Sequence, residues 1–373
     1  MRIVVQGLWH LGCVTAACLA EAGHDVTGLD REGPALQGLR EGRAPLFEPG
    51  LDELLQAGLQ AGRLGFAGLQ DAPRVLSAAE LLWVAFDTPV DEQDLADVAF
   101  VRAELDGLAA ALRPGTLVLL SAQLPVGFTR ALERDWAGRS LRFAVSPENL
   151  RLGQALDAFR RAERVVVGLR DERDRETLAA LFAPFAARVE WMSVESAEMS
   201  KHALNAFLAT SVTFINELAR LCEALGADAR EVERALKSEP RIGRRAYLAP
   251  GAAFAGGTLA RDLRYLQSFG RELGLATPLV DGVLQSNAAH AGWLQARVQE
   301  LLRGAEAPVV ALLGLTYRPG TSTLRRSAAV ELARALAARG VAVQAFDPAV
   351  RALPPELSGQ LRLCASAAEA LGG

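Results

Sequence analysis

The chain has 373 residues, half of them apolar and 23% charged, long enough for two or three domains with substantial cores and without a disordered signature. A formal net charge of −4 argues against a nucleic-acid partner, because phosphate backbones attract basic faces. No apolar run of 18 or more residues is free of charge, and the chain opens on an apolar strand with no leader pattern, so neither a membrane span nor a membrane partner is expected.

Arg2–Gln6 (RIVVQ) reads as a short β-branched strand, and Gly7–Gly12 (GLWHLG) as the turn that follows it. Cys13–Ala22, rich in alanine and leucine, reads as a helix ended by Gly23, and Val26–Leu29 as a second strand closing on Asp30. Strand, glycine turn, helix, strand and acidic end make the start of a doubly wound sheet. Further strands are expected at Leu81–Phe86, Leu117–Leu120, Arg142–Val145 and Arg164–Gly168, with helices between them. That alternation predicts a mostly parallel sheet covered on both faces.

The pattern changes at Val194. From there to Leu225 the chain has helical apolar spacing and neither glycine nor proline, which predicts one helix of roughly 45 Å, longer than a small domain needs. More helix is expected over Ala227–Lys237, Leu259–Leu273 and Leu279–Leu302. After Pro308 the α/β pattern returns, with a strand at Val309–Leu313, a turn at Gly314, a helix at Ala328–Ala338 and a strand at Val341–Phe346 ending on Asp347. AGHDVTGLD (Ala22–Asp30) and RGVAVQAFD (Arg339–Asp347) share one layout, each with an aspartate seven residues after the helix-ending glycine. The expected class is α/β: a Rossmann-type N-terminal domain (1–193), an all-helical middle (194–302) and a shortened Rossmann-like C-terminal domain (303–373). Cys13, Cys18, Cys222 and Cys364 lack metal or disulfide spacing, and reduced thiols in a cytoplasmic protein without a metal are the expectation.

A dinucleotide turn uses one glycine to bend, one to let pyrophosphate approach, and one to pack helix on strand. Gly7 and Gly12 fill the first and third places, but Trp9 fills the second. Asp30 stands where a carboxylate bonds a ribose diol and repels the extra phosphate of NADP, which favours NAD. A turn that binds nothing is the competing reading, and the glycine pattern alone leaves both open.

The landmarks that follow resemble, in order and over essentially the whole chain, the UDP-glucose/GDP-mannose dehydrogenase family. They are Glu41–Leu55 (EGRAPLFEPGLDELL), Thr88-Pro89, Pro125-Val126-Gly127 and Ser146–Arg151 (SPENLR). Lys201 and Asn205 come next, then Asn216-Glu217, Arg241-Ile242-Gly243, Gly256–Asp262 (GGTLARD), Gly314–Arg318 (GLTYR) and Arg325-Arg326-Ser327. The resemblance implies NAD as cofactor, a nucleotide sugar of the UDP-linked kind as substrate, and a homodimer paired through the long helix. Family members oxidise a primary alcohol to an aldehyde, capture it on a cysteine, and by a second hydride transfer and hydrolysis release the acid.

Carried over by position, the cofactor residues are Gly7, Trp9, His10, Leu11, Gly12, Asp30, Thr88, Pro89 and Gln123. The substrate residues are Asn149, Leu150, Arg151, Phe254, Gly256, Gly257 and Arg325, with Arg241 reaching the nucleotide across a dimer interface. Lys201 and Asn205, spaced i, i+4 on one helix face, polarise the alcohol oxygen; by themselves such a pair is an ordinary solvated face. Asp262 matches the water-activating aspartate and Glu148 the first of two glutamates; an ion pair or helix cap is the ordinary explanation of either.

Several family positions are changed. Thr258 stands at the cysteine position, and a threonine hydroxyl is almost never ionised near neutral pH. Leu152 replaces the second glutamate, and Gln123 replaces a threonine associated with positioning water. The loop Gly251–Phe254 (GAAF) has alanines where the family is richer in glycine, and is one residue longer. The expectation is an oxidoreductase limited to one hydride transfer; the alternative is a catalytically silent relative that binds nucleotide or a protein partner.

Overall fold

The computed structural model describes residues 1–91, 95–148, 150–255, 257–317, 323–324 and 327–372. The chain divides into two compact units, Met1–His202 and Ala203–Gly373.

The first unit begins β1 (Arg2–Gln6), α1 (His10–Glu21), β2 (Asp25–Asp30), α2 (Pro34–Arg40), α3 (Leu51–Gln60) and β3 (Leu64–Gly68). It continues with α4 (Ala72–Ala78), β4 (Leu81–Val84), α5 (Val98–Leu108), β5 (Leu117–Leu120), α6 (Phe128–Asp135) and β6 (Arg142–Val145). It ends with α7 (Ala155–Arg160), β7 (Val165–Leu169), α8 (Arg175–Phe182), β8 (Val189–Ser193) and the first turns of α9 (Val194–Leu225). The strands form one sheet in the order β3-β2-β1-β4-β5-β6-β7-β8, parallel throughout except at β6–β7. Every residue of β4 (LLWV) and β5 (LVLL) is buried, as central strands covered on both faces require. The pleat sends Ile3 and Val5 to a core shared with α1, α3 and α8, and Val4 to a second core shared with α4, α5 and α6.

The mostly parallel sheet is as expected, with shifts at the ends of elements. Helix α1 starts at His10, so the turn is confined to Gly7–Trp9. Strands β3 and β8 are additions to the expected set. Both lie at sheet edges, and their sequences, LGFAG and VEWMS, lack the apolar runs by which central strands are read.

In the second unit α9 continues to Leu225, the long glycine-free helix with the expected bounds. It is followed by α10 (Ala229–Ser238), α11 (Thr258–Leu273) and α12 (Pro278–Leu301). Ala209 of α9, Leu263 of α11 and Val283 of α12 form their small buried core. A three-stranded parallel sheet, order β11-β10-β9, completes the unit from β9 (Val309–Leu313), α13 (Ala328–Ala337), β10 (Ala342–Phe346), β11 (Arg362–Leu363) and α14 (Ala367–Leu371). Val330, Ala333 and Leu336 of α13 pack there on Val343 and Ala345 of β10.

The repeat read in the sequence has a physical counterpart. Gly7 (φ 91°) and Gly314 (φ 106°) both turn the chain through the left-handed region. After each, the next N–H donates to the aspartate that closes the following strand: Leu8 N to Asp30 at 2.5 Å, Leu315 N to Asp347 at 2.7 Å. Burial works to raise the Asp347 carboxyl, but N–H donation from Leu315, Ala349 and Thr316 outweighs it and holds the group below the ordinary carboxylate value. Among the described residues, no helix is long and apolar enough to cross a membrane, and no cluster of three metal-ligating side chains occurs.

Candidate functional site

In a doubly wound sheet the cofactor crevice opens where strand order reverses, here beyond the carboxyl ends of β1 and β4. Gly7 leaves β1 against Phe86, and a Cβ on Gly7 would sit 2.8 Å from the Phe86 ring. A Cβ on Gly12 would lie 1.9 Å from the Gly7 carbonyl oxygen, so only glycine lets α1 close on this turn. The first and third glycines thus do the bending and packing that a dinucleotide turn needs, and the cradle fits NAD in shape. Trp9 is 49% exposed, so the indole turns outward and not against the sheet. Asp30 Oδ2 accepts from Leu8 N and Oδ1 from Arg31 N at 2.7 Å.

From the β4 side, Asp87 Oδ2 accepts from Leu11 N at 3.2 Å. Thr88 is buried and its hydroxyl donates to the Gln123 carbonyl at 2.9 Å, tying the loop after β4 to the loop after β5. Gln123 is buried too, whereas Pro89 is exposed.

Beside the turn, His10 Nε2 lies 2.9 Å from Glu48 Oε2. The Glu48 carboxylate also accepts from Gly153 N at 2.7 Å and Ala155 N at 2.8 Å, so one buried side chain joins the cofactor turn to the segment after SPENLR. Within SPENLR itself Glu148 Oε2 accepts from Leu150 N at 2.6 Å, Leu150 is half-buried and Arg151 exposed. Lys201, buried on α9, donates from Nζ to the Glu148 carbonyl at 2.7 Å, and its ammonium lies 3.8 Å from Glu148 Oε1. One turn earlier on α9, buried Glu198 accepts from Gly127 N at 2.7 Å and from the Thr129 hydroxyl at 2.6 Å, fixing the start of α6. His202 Nε2 meets the Leu124 carbonyl at 3.1 Å.

In the second unit the Asn205 side-chain amide donates to Asp262, which is wholly buried in the second turn of α11. Thr258 is the first residue of α11, one turn before Asp262, and is exposed. Gly257 precedes it with φ 101°. Asn216 and Asn287 pin the loop ahead of that helix. Asn216 accepts from Gly251 N at 2.9 Å and donates to Ala252 O at 3.2 Å. Asn287 accepts from Phe254 N and donates to Phe254 O, both at 2.9 Å. Arg241 is exposed and paired with Glu239 at 2.9 Å. Asn149, Gly256 and Arg325 lie outside the described residues.

Four side chains at these positions escaped sequence reasoning: Glu48, Asp87, Glu198 and His202. Glu48 lies within EGRAPLFEPGLDELL and Asp87 immediately before Thr88-Pro89, but no spacing rule pairs either with a partner so distant in the chain.

The chain matches the UDP-glucose/GDP-mannose dehydrogenase family in three parts: the NAD binding domain over residues 1–186, the central domain over 195–289, and the UDP binding domain over 311–373. It is 37% identical over 365 residues to a UDP-glucose 6-dehydrogenase of Pseudomonas aeruginosa, covering 94% of this chain and 80% of that one. It is 31% identical to a GDP-mannose 6-dehydrogenase of Pseudomonas putida, covering 94% of this chain and 82% of the relative. A solved UDP-glucose dehydrogenase from Pyrobaculum islandicum superposes with a TM-score of 0.90 at 32% identity, over 99% of this chain and 87% of that one. The glycine turn closed by Gly12, the sheet order and these matches agree: the chain belongs to the UDP-glucose/GDP-mannose dehydrogenase family and is an NAD-dependent nucleotide-sugar dehydrogenase.

Proposed function

We propose that this dehydrogenase oxidises a hydroxyl of a UDP-linked sugar by a single hydride transfer and stops at the carbonyl product. The observation that carries this reading is the state of its nucleophiles. Thr258 occupies the cysteine position at an exposed helix start, and all four cysteines are buried. Burial pushes the Cys18 thiol up to about 12, and burial together with the carboxylates of Asp87, Asp30 and Asp52 raises Cys13 further. A thiol held neutral neither captures an aldehyde nor forms a thioester.

The residues suited to the first step are retained. Lys201 supplies a cation, and Asn205 a side-chain amide, to an oxygen that becomes negative as its proton leaves. Asp262, bonded to Asn205, is the carboxylate that its family position assigns to take a proton directly or through water. NAD, when bound, supplies the hydride acceptor. Leu152 in place of the second glutamate removes an acid–base group from the hydrolytic half, in keeping with a reaction that ends before it.

The domain division we adopt is 1–193 for the cofactor, 194–302 for helices and dimerisation, and 303–373 for the nucleotide end of the substrate. A homodimer through α9 is supported by Phe207, Phe214 and Leu221, exposed by 69%, 48% and 57% at intervals of seven residues along one face. Arg241 is exposed, and to reach a partner's substrate its guanidinium would leave Glu239.

A panel of UDP-linked sugars assayed for NADH, with the product identified by mass spectrometry, tests the reading. One NADH per sugar and an aldehyde or ketone are expected. Two NADH per sugar with a carboxylate product, at ordinary enzymatic turnover, would overturn it. The second reading, a relative that binds nucleotide without turnover, is favoured by Trp9 in the glycine turn; it requires nucleotide binding with no NADH from any sugar.

A further inference from the structure

The first turn of α1 is where a dinucleotide fold receives pyrophosphate, because its N–H groups have no partner within the helix. In this chain one of those donors is already engaged. Leu11 N, the second residue of α1, donates to the carboxylate of Asp87 across the crevice from β4. The loop carrying Asp87 is held in place: the adjacent Thr88 is buried and anchored to the Gln123 carbonyl, and Ala85 N is bonded to the Gln6 carbonyl at 2.8 Å. Asp30 takes the neighbouring Leu8 N from the other side. Two carboxylates therefore stand at a turn whose ligand brings two further negative charges.

We propose that Asp87 is an internal anion at the pyrophosphate site, a residue that sets the affinity for NAD by competing with the diphosphate for Leu11 N. NAD binding at this turn then requires the Asp87 carboxylate to give up Leu11 N and to remain near a like charge. Asp30 differs in kind, because a carboxylate at the end of β2 faces a ribose diol and its N–H bond closes the turn. The raised Cys13 thiol in the first turns of α1 fits this arrangement, burial acting first and the Asp87 and Asp30 charges adding to it. This inference rests on the cofactor turn alone, and stands or falls independently of the sugar and of the number of hydride transfers.

The test is calorimetric binding of NAD, ADP-ribose and adenosine to the full-length wild type, Asp87→Asn and Asp87→Ser. Asparagine keeps an oxygen for Leu11 N and removes the charge; serine removes both charge and reach. Asp87 is exposed at the crevice, so water partly screens its repulsion of the diphosphate, and both variants are expected to bind NAD and ADP-ribose roughly tenfold more tightly. Adenosine, lacking pyrophosphate, is expected to bind all three proteins equally. The gap between wild type and Asp87→Asn is expected to narrow as salt screens the repulsion. ADP-ribose affinity that is unchanged or weaker in both variants overturns the proposal, and so does a gain shared equally by adenosine.

Discussion

Replacing Glu48 tests how firmly the cofactor turn is tied to the segment that follows SPENLR. Glu48 is 4% exposed, and its two oxygens satisfy Gly153 N, Ala155 N and the His10 ring. Alanine at this position leaves two backbone donors at the start of α7 without their acceptor. Hydrogen bonds to a charged group contribute about 1.5–3 kcal/mol each, so the two backbone bonds alone sum to roughly 3–6 kcal/mol. Gly153 is half-buried and regains water in part, and the buried carboxylate no longer has to be desolvated; a net loss of about 3 kcal/mol is the expected outcome. Glutamine keeps one acceptor oxygen and is expected to lose about half as much. Urea unfolding gives the total, and amide hydrogen exchange localises it, with the Gly153 and Ala155 amides exchanging faster in Glu48→Ala. KM for the nucleotide sugar is expected to rise in the same variant as the loop loosens. Wild-type exchange at both amides with an unfolding midpoint unchanged would show that these contacts carry no free energy and refute the account.

Asp347→Asn should cost the C-terminal sheet stability near neutral pH, and the deficit should close as the solution is acidified. A carboxyl whose folded value is depressed contributes above its unfolded value of about 3.9 and loses that contribution as pH falls through the folded value, so pH-dependent unfolding curves that stay parallel down to about pH 2 contradict it. Phe214→Glu is expected to turn a dimer into a monomer at micromolar concentration by sedimentation; a wild type already monomeric, or a variant still dimeric, removes α9 as the interface. Trp9→Gly is expected to tighten NAD binding, measured by calorimetry, because it restores the second glycine of the turn where a half-exposed indole now stands. Equal or weaker affinity means that Trp9 leaves the diphosphate path open.

Most of the fold was legible because its central parts obey local rules. RIVVQ and LVLL are short apolar runs, the glycine-free stretch from Val194 keeps helical spacing, and all three have the bounds expected of them. The edge strands β3 and β8 were not legible: Gly65 and Gly68 in one, and Glu190 with Ser193 in the other, hide an extended backbone that the neighbouring strand imposes. For the site, the residue types came from local motifs and family order, but their bonding did not. That Asp262 holds Asn205, or that Lys201 donates to the carbonyl of Glu148, depends on helices packed from distant parts of each unit.

Three of the residues that sequence reasoning missed share one physical task, and that task explains why they were missed. Asp87, Glu48 and Glu198 each accept N–H groups at a helix start separated from them by 76, 105 and 71 residues. A helix start has unpaired donors wherever it occurs, so an acceptor must come from a side chain, water or ligand, and nothing in the local sequence says which. At α6 and α7 the carboxylate is the permanent solution, buried among its donors. At α1 the same solution meets a cofactor that carries its own acceptors. A carboxylate that stabilises the turn without NAD raises the cost of binding NAD by the same contact, since stabilising the free form lowers apparent affinity. The contrast between Glu48, buried among its donors, and Asp87, exposed where the diphosphate would arrive, follows from where each helix starts: α7 among buried groups, α1 at the crevice where strand order reverses.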